Sequence, residues 1–294
     1  MNPTLTLIVP CFNEAENLVE LLPGFISFAD IENWKIIIVD DGSTDRTEEI
    51  VRSYESERLS YMQHDKNIGV GAAIKTGISK VQTEYFATVD ADGQHNLEDV
   101  KKMFANIQKE SFDLYLGERL NGDVSGTFRS IGKFLIKIIA IFFAKQNIKD
   151  LNTGLRIIKL SAIKPYIEIL PDSFSFMDLS SLIFIMQRKK IGSSPIYVNQ
   201  RQHGKSALRI RHAVETVSDI INVVTLFHPI RIFLPATLFF IVLGTIWGLP
   251  YIIMGHGLSV GALLFILMGV FSFFFGIVAE QLSQIRKKQL NLHE

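Results

Sequence analysis

The sequence predicts an α/β sandwich with a mostly parallel sheet, followed by interfacial amphipathic helices and a transmembrane helical hairpin. Three observations carry this. Short apolar runs alternate with helical patterns through the first half of the chain, the rhythm of a largely parallel sheet. Carboxylates fall at the ends of those apolar runs, where such sheets bind their ligands. Near the C-terminus, two apolar runs flank Gly255-His256-Gly257. Each matches the ~20 residues that cross a bilayer.

The elements follow in order. Residues 5–9 read as a buried strand ended by Pro10, and 13–22 as a helix with acidic residues in its first turn, where the helix dipole favours them. Residues 35–39 form the next apolar strand, ended by Asp40-Asp41-Gly42-Ser43, and 44–54 a helix. Leu59–Gln63 is a short strand, Val70–Lys80 a helix and 85–89 a strand. A helix starts near Leu97, and 113–117 is a further strand. Residues 127–146 are helical and apolar, with Arg129, Lys133, Lys137 and Lys145 spaced through them. That composition suits a helix lying in a membrane interface, with a buried helix of the soluble domain as the alternative. Residues 208–228 repeat the theme as a juxtamembrane helix.

The two spans are expected at about 230–254 and 258–279, inside a segment 229–280. Backbone groups satisfied within each helix permit such a hairpin in lipid. Arg209, Arg211 and Arg231 precede the first span, and Arg286, Lys287 and Lys288 follow the second, while the loop between has neither Lys nor Arg. Both termini, with the tail 281–294, are therefore expected in the cytoplasm, and the catalytic domain 1–207 beneath the cytoplasmic leaflet. The N-terminus has no charged segment leading into a long apolar one, so no signal peptide is expected. Formal net charge is zero, which gives no reason to expect a nucleic-acid partner. A single cysteine, Cys11, excludes an internal disulfide. Packing between copies of the hairpin would make the protein a homo-oligomer.

Asp90-Ala91-Asp92-Gly93-Gln94-His95 is the most informative stretch. Two carboxylates one residue apart at a strand end can share a hard divalent cation, Mg²⁺ or Mn²⁺, whose other positions go to substrate phosphates. An acidic turn capping the helix near Leu97 is the plainer reading. Three further motifs stand in chain order with it: Val9-Pro10-Cys11-Phe12-Asn13-Glu14, Val39-Asp40-Asp41-Gly42-Ser43-Thr44-Asp45 and Asn67-Ile68-Gly69-Val70-Gly71-Ala72. Together they resemble the family 2 glycosyltransferases, and within them the polyprenyl-phosphate branch that includes dolichyl-phosphate mannose and glucose synthases. The branch resemblance extends through Asp150-Leu151-Asn152-Thr153-Gly154-Leu155-Arg156 and Arg201-Gln202-His203-Gly204-Lys205-Ser206.

That resemblance implies a GT-A-type nucleotide-binding fold and an inverting transfer of one sugar from a UDP- or GDP-linked donor to a polyprenyl phosphate. Pro10, Phe12, Glu14 and Val39, with Asp40 or Asp41, would surround the nucleoside, together with Asp90 and Ala91. Carboxylates suit base N–H and ribose hydroxyls, and an aromatic face suits the base. Asp90 and Asp92 would hold the metal, with Gln94 as a further ligand or a support. His95 is given a structural role, since a hard cation prefers oxygen. Arg119, Arg129 and Lys133 would meet the acceptor phosphate, which a bidentate Arg suits. Arg201 and Lys205 lie on a Gly-containing loop that can close over the diphosphate. Ala207 and Val70 stand where the branch commonly has basic residues, which leaves open whether Lys205 or another cation meets the donor. Asp92, Asp150 and Arg119 are the catalytic candidates. A phosphate monoester is already largely a dianion at pH 7, so Asp150 is expected to orient Arg side chains or support the metal rather than to take a proton.

Two other readings compete. A processive polysaccharide synthase resembles this chain in its first half, but such enzymes carry a Gln/Arg-x-x-Arg-Trp motif, and Trp34 and Trp247 have no such context. A catalytically silent membrane protein that binds a nucleotide or lipid carrier would have no need of Asp90, Asp92, Arg119 and Arg201 together.

Overall fold

The computed structural model describes residues 4–54, 56–120, 153–199 and 210–289, with side chains of the last stretch from 218 onward. The chain divides into two units between Asp219 and Ile220.

The first unit is built on a seven-stranded sheet of order β3-β2-β1-β4-β6-β5-β7. Its strands are β1 (Thr6–Cys11), β2 (Lys35–Asp40), β3 (Leu59–Gln63), β4 (Tyr85–Thr88), β5 (Leu114–Arg119), β6 (Arg156–Lys159) and β7 (Ile191–Ile196). The β3-β2-β1-β4 half is parallel, β6 runs antiparallel to β4 and β5, and β5 is parallel to β7. Through β6, β5 thus points the same way as β4. Helices α1 (Ala15–Glu32), α2 (Thr47–Ser53), α3 (Val70–Lys80) and α4 (Leu97–Glu110) are the crossovers.

β1 runs two residues beyond its expected end, through Pro10. Lys35 N donates to Leu5 O and Asp41 N to Cys11 O on the β2 side, whereas Val89 N donates to Ile8 O on the β4 side. Alternate residues face alternate neighbours, so Pro10 faces β4, whose pairing has already ended at Thr88. The missing proline N–H costs no ladder bond there. Helix α1 likewise continues past Pro23 to Glu32 rather than ending at 22. Its buried positions Leu18, Leu22, Phe25 and Ala29 form one stripe through the proline, and the burial of that stripe outweighs one lost backbone bond. Helix α2 begins at Thr47, later than expected, because Ser43, Thr44 and Asp45 are engaged in bonds between loops.

A short helical turn, Leu160–Ile163, and a 3₁₀ helix, Lys164–Ile169, lead to α5 (Ser175–Met186), in which every residue is buried. The core between sheet and helices centres on Trp34, which packs against Phe28 and, edge-on, against Phe104.

The second unit takes the end of α6 (Ile210–Phe227), then α7 (Ile230–Ile253) and α8 (Val260–Gln289). Both α7 and α8 are long and apolar enough to cross a membrane, with mean hydropathies of 2.1 and 2.6 and only 17% of each apolar window buried. They pack through glycines. A Cβ at Gly269 would lie 2.7 Å from the Ile241 side chain, and one at Gly248 2.9 Å from Ala262 Cβ. Helix α8 passes the expected end of the second span at 279 and runs to Gln289. Its extension buries two polar side chains, Ser283 Oγ donating to Leu226 O and Lys287 Nζ to Phe227 O, 3.0 Å for the latter. Two carbonyls at the end of α6 thereby gain side-chain donors.

Candidate active site

The chain leaves β1 for β2 and β3 on one side and returns to β4 on the other, so the strand order reverses between β1 and β4. Crevices of this kind, at the carboxyl ends of the strands, are where open α/β sheets bind ligands. Pro10, Asp40, Asp41, Asp90, Asp92 and Arg119 all lie at that edge, as the sequence implies.

The wall on the β1–β2 side is a lace between two loops. Asn13 adopts φ 54°, the left-handed region that Asn tolerates. Its N–H donates to Ser43 Oγ at 2.8 Å and its Oδ1 accepts from Thr44 N at 2.7 Å. Asp45 accepts from Ala15 N at 3.2 Å, and from the Thr47 amide at 3.0 Å and hydroxyl at 2.6 Å. Burial alone would raise the Asp45 carboxyl, but these donors more than offset it and hold the carboxyl below the usual range. Glu14 is positioned by Asn17 Nδ2 at 2.5 Å, and its own N–H donates to Thr47 Oγ1. Phe12, 42% exposed, stands at the mouth of this wall. Val39 is buried opposite Pro10. Cys11 is buried too, and burial, with the charges of Asp40 and Glu14, pushes its thiol far up, so it is neutral and unreactive at ordinary pH.

Asp40 and Asp41 serve different neighbours. Asp40 accepts from Ser43 N at 2.8 Å and Tyr61 OH at 2.7 Å. Burial first, and then that bond, push the Tyr61 phenol well up. Asp41 accepts from Ile68 N at 3.0 Å, Gly69 N at 2.7 Å and the His64 ring at 2.7 Å. The pair thus ties both following loops to the end of β2. Asp40 Oδ2 and Asp41 Oδ1 take two of these bonds each, from Tyr61 and Gln63 and from Ile68 and His64, whereas Asp40 Oδ1 and Asp41 Oδ2 take one each and keep a lone pair for a further donor.

The other wall is the turn after β4. Gly93 takes φ 75°, a left-handed conformation that a Cβ disfavours. Asp92, 8% exposed, accepts Gln94 N at 3.1 Å, while the Asp90 side chain is 39% exposed. Gln94 is tied to the irregular segment after β7, its side chain donating to Asn199 O at 3.3 Å and its carbonyl accepting Asn199 N. His95 lies beside the carboxylates, Nε2 3.5 Å from Asp90 Oδ2, with Nδ1 buried and without a hydrogen-bond partner among the described residues. Ala91 between the two aspartates is buried. Arg119, half-buried at the end of β5, pairs in register with Ile196.

This arrangement fits a hard cation held partly by substrate. Two carboxylates share one turn, one of them open to the crevice, and no third acidic or imidazole ligand completes a cage among the described residues. Mg²⁺ bound together with phosphates needs only one or two carboxylates.

Asp150, Arg129, Lys133, Arg201 and Lys205, with Lys137 and Lys145, lie outside the described residues. The residues that sequence reasoning missed are Asn13 and Asp45 as loop ties, His64 behind Asp41, and Arg156 behind the β4 turn. Asn13, Asp45 and Arg156 stand inside recognised motifs. His64 is a lone histidine after a strand and carries no pattern of its own.

Residues 6–167 match the glycosyl transferase family 2, and residues 228–285 match the GtrB C-terminal hairpin. Among curated relatives, the dodecaprenyl-phosphate galacturonate synthase of Rhizobium johnstonii is 26% identical over 74% of this chain and 66% of its own length. The dolichyl-phosphate beta-glucosyltransferase of Saccharomyces cerevisiae is 27% identical over 74% of this chain and 73% of its own. Among solved structures, glucosyl-3-phosphoglycerate synthase from Mycobacterium tuberculosis, in complex with Mn²⁺, UDP and glucosyl-3-phosphoglycerate, superposes with a TM-score of 0.58. It covers 75% of this chain and 80% of its own at 15% identity, a likeness of fold alone. With its strand order, its carboxylates at the switch point and these matches, the chain belongs to glycosyl transferase family 2, of the GT-A fold, and carries a GtrB-type C-terminal hairpin.

Proposed function

We propose that the protein transfers one sugar from a nucleoside diphosphate sugar to a polyprenyl phosphate at the cytoplasmic face of a membrane, with inversion at the anomeric carbon. The observation that carries this is the Asp90–Asp92 turn at the β1/β4 switch point, in a chain whose relatives are named for dolichyl and dodecaprenyl phosphates.

The nucleoside lies between the two walls, against Pro10, Phe12, Glu14, Val39 and Ala91, with its base and ribose donors on Asp40 or Asp41. Asp90 and Asp92, supported by Gln94, hold Mg²⁺ or Mn²⁺. When bound, the cation supplies Lewis-acid stabilisation of the departing diphosphate. Arg201 and Lys205 close over that diphosphate. Arg119, Arg129 and Lys133 gather the acceptor phosphate and offset the repulsion between two anions. An acceptor oxygen forms the new bond to the anomeric carbon while the bond to the diphosphate oxygen breaks, its electron pair leaving with the nucleotide. The acceptor is already a dianion, so no proton need move, and Asp150 orients cations. Helices α7 and α8 anchor the chain and can pack against further copies of themselves. A donor screen with a short polyprenyl phosphate, reading lipid-linked sugar, tests the proposal.

A further inference from the structure

Arg156 opens β6 and is fully buried. A guanidinium out of water needs its donors met. Nε and Nη2 donate to Thr153 O at 3.1 and 2.6 Å, and Nη1 reaches Met177 O at 2.7 Å and the hydroxyls of Ser180 and Ser181 at 3.0 and 3.1 Å. One end of this side chain is thus anchored in α5, and it grips the carbonyl of an irregular segment.

That segment is fixed residue by residue. Thr153 O is held by Arg156, Gly154 O accepts Thr88 Oγ1 at 2.7 Å, and Leu155 O accepts Gly117 N at 3.1 Å. Gly154 then faces the site directly. A Cβ there would collide with Asp90 Oδ2, and it would lie 3.0 Å from the carboxyl carbon. The same Oδ2 is the atom facing His95 Nε2. The Asp90 carboxylate therefore sits between an imidazole and a strap of backbone that has no room for a side chain.

We propose that Arg156 is a positioning residue for Asp90. By fixing the Thr153-Gly154 backbone as a backstop, it holds the carboxylate in the one orientation that takes the divalent cation. This rests on the reading of Asp90 and Asp92 as cation ligands. Groups that orient a metal's ligands typically change affinity 10–100-fold when lost.

The test is Mn²⁺ titration followed by electron paramagnetic resonance, on the full chain in detergent, with UDP or GDP present. Arg156→Lys keeps the charge and loses the fork. Thr88→Val removes the clamp on Gly154 isosterically, and Gly154→Ala displaces Asp90 while leaving Arg156 in place. Fluorescence of buried Trp34 reports whether each catalytic unit is folded. The expected result is an Mn²⁺ Kd raised roughly 10–100-fold in folded Gly154→Ala and Arg156→Lys, and less in Thr88→Val. Turnover should recover in excess Mn²⁺. Should Arg156→Lys fail to fold, the other two variants decide. Folded variants that bind Mn²⁺ as wild type does would overturn the positioning role alone. A wild type that takes up no Mn²⁺ with either nucleotide would overturn the cation reading itself, and this inference with it.

Discussion

Buried Asp41 and half-buried His64 form a pair, with Nδ1 of the imidazole 2.7 Å from Oδ1 of the carboxylate and Nε2 2.9 Å from Thr76 Oγ1. The same carboxylate accepts the amides of Ile68 and Gly69, so one side chain fixes the loop that leads into α3. Asp41→Asn removes the charge and leaves one acceptor oxygen, so an NH₂ group faces either the Gly69 amide or the Ile68 amide and His64. Hydrogen bonds to charged groups are worth about 1.5–3 kcal/mol each, so the catalytic unit should lose about 2–4 kcal/mol. Urea unfolding followed by Trp34 fluorescence checks this, and an unchanged midpoint would show that the loop is held by other contacts.

The Asn13–Asp45 lace gives a pH prediction. Asp45 titrates below the usual carboxylate range, so its contribution is complete above the unfolded value of about 3.9. It is lost only as pH falls through the lowered folded value. Donor KM should therefore not respond to this group from pH 8 down to about 4. Asn13→Ala, which loses both the left-handed preference and the bond to Thr44, should raise donor KM several-fold at every pH and leave acceptor KM unchanged. An effect confined to the acceptor would place this wall elsewhere in the reaction.

How much of this was legible in the sequence depends on what each residue advertises. Leu59–Gln63 and Val70–Lys80 are legible to the residue because local pattern and tertiary role agree there. Pro10 reads as a stop and the helix pattern is expected to end at 22, yet Pro10 and Pro23 both lie inside their elements. The side of β1 that Pro10 faces, and the stripe that α1 buries, are set by partners distant in sequence. Helix α5 is buried all round and so has no amphipathic period to find. At the candidate site, the placement of Asp90 and Asp92 on one turn at a strand end is legible from spacing. The support behind them is not, because Arg156 and Gly154 acquire their roles only when β6 folds beside β4.

The membrane hairpin predicts a topology. A reporter at Gly255, in the turn between α7 and α8, should lie outside the cytoplasm, and one after His293 inside it. The ground is the Lys and Arg that flank the two spans and are missing between them. Reporters on the same side would refute a spanning hairpin.

Arg129 and Lys133 lie outside the described residues, but their spacing of one helical turn sets a kinetic test. Arg129→Ala should raise acceptor KM about tenfold or more and leave donor KM nearly intact, with Arg129→Lys rescuing only part, since the planar fork is lost. Equal acceptor kinetics in all three proteins would make Arg129 a membrane anchor.

Metal-assisted transfer to a lipid phosphate can be read in one assay. The most direct measurement supplies wild type and Asp92→Asn with a panel of UDP- and GDP-sugars and a short polyprenyl phosphate, and counts lipid-linked sugar with and without EDTA. One donor should give a lipid-linked product with wild type, abolished by EDTA and restored by Mg²⁺ or Mn²⁺. Asp92→Asn should remain folded and fall by at least about 100-fold, the equivalent of about 3 kcal/mol of transition-state stabilisation. Full transfer in EDTA, or equal rates for the two proteins, would contradict it.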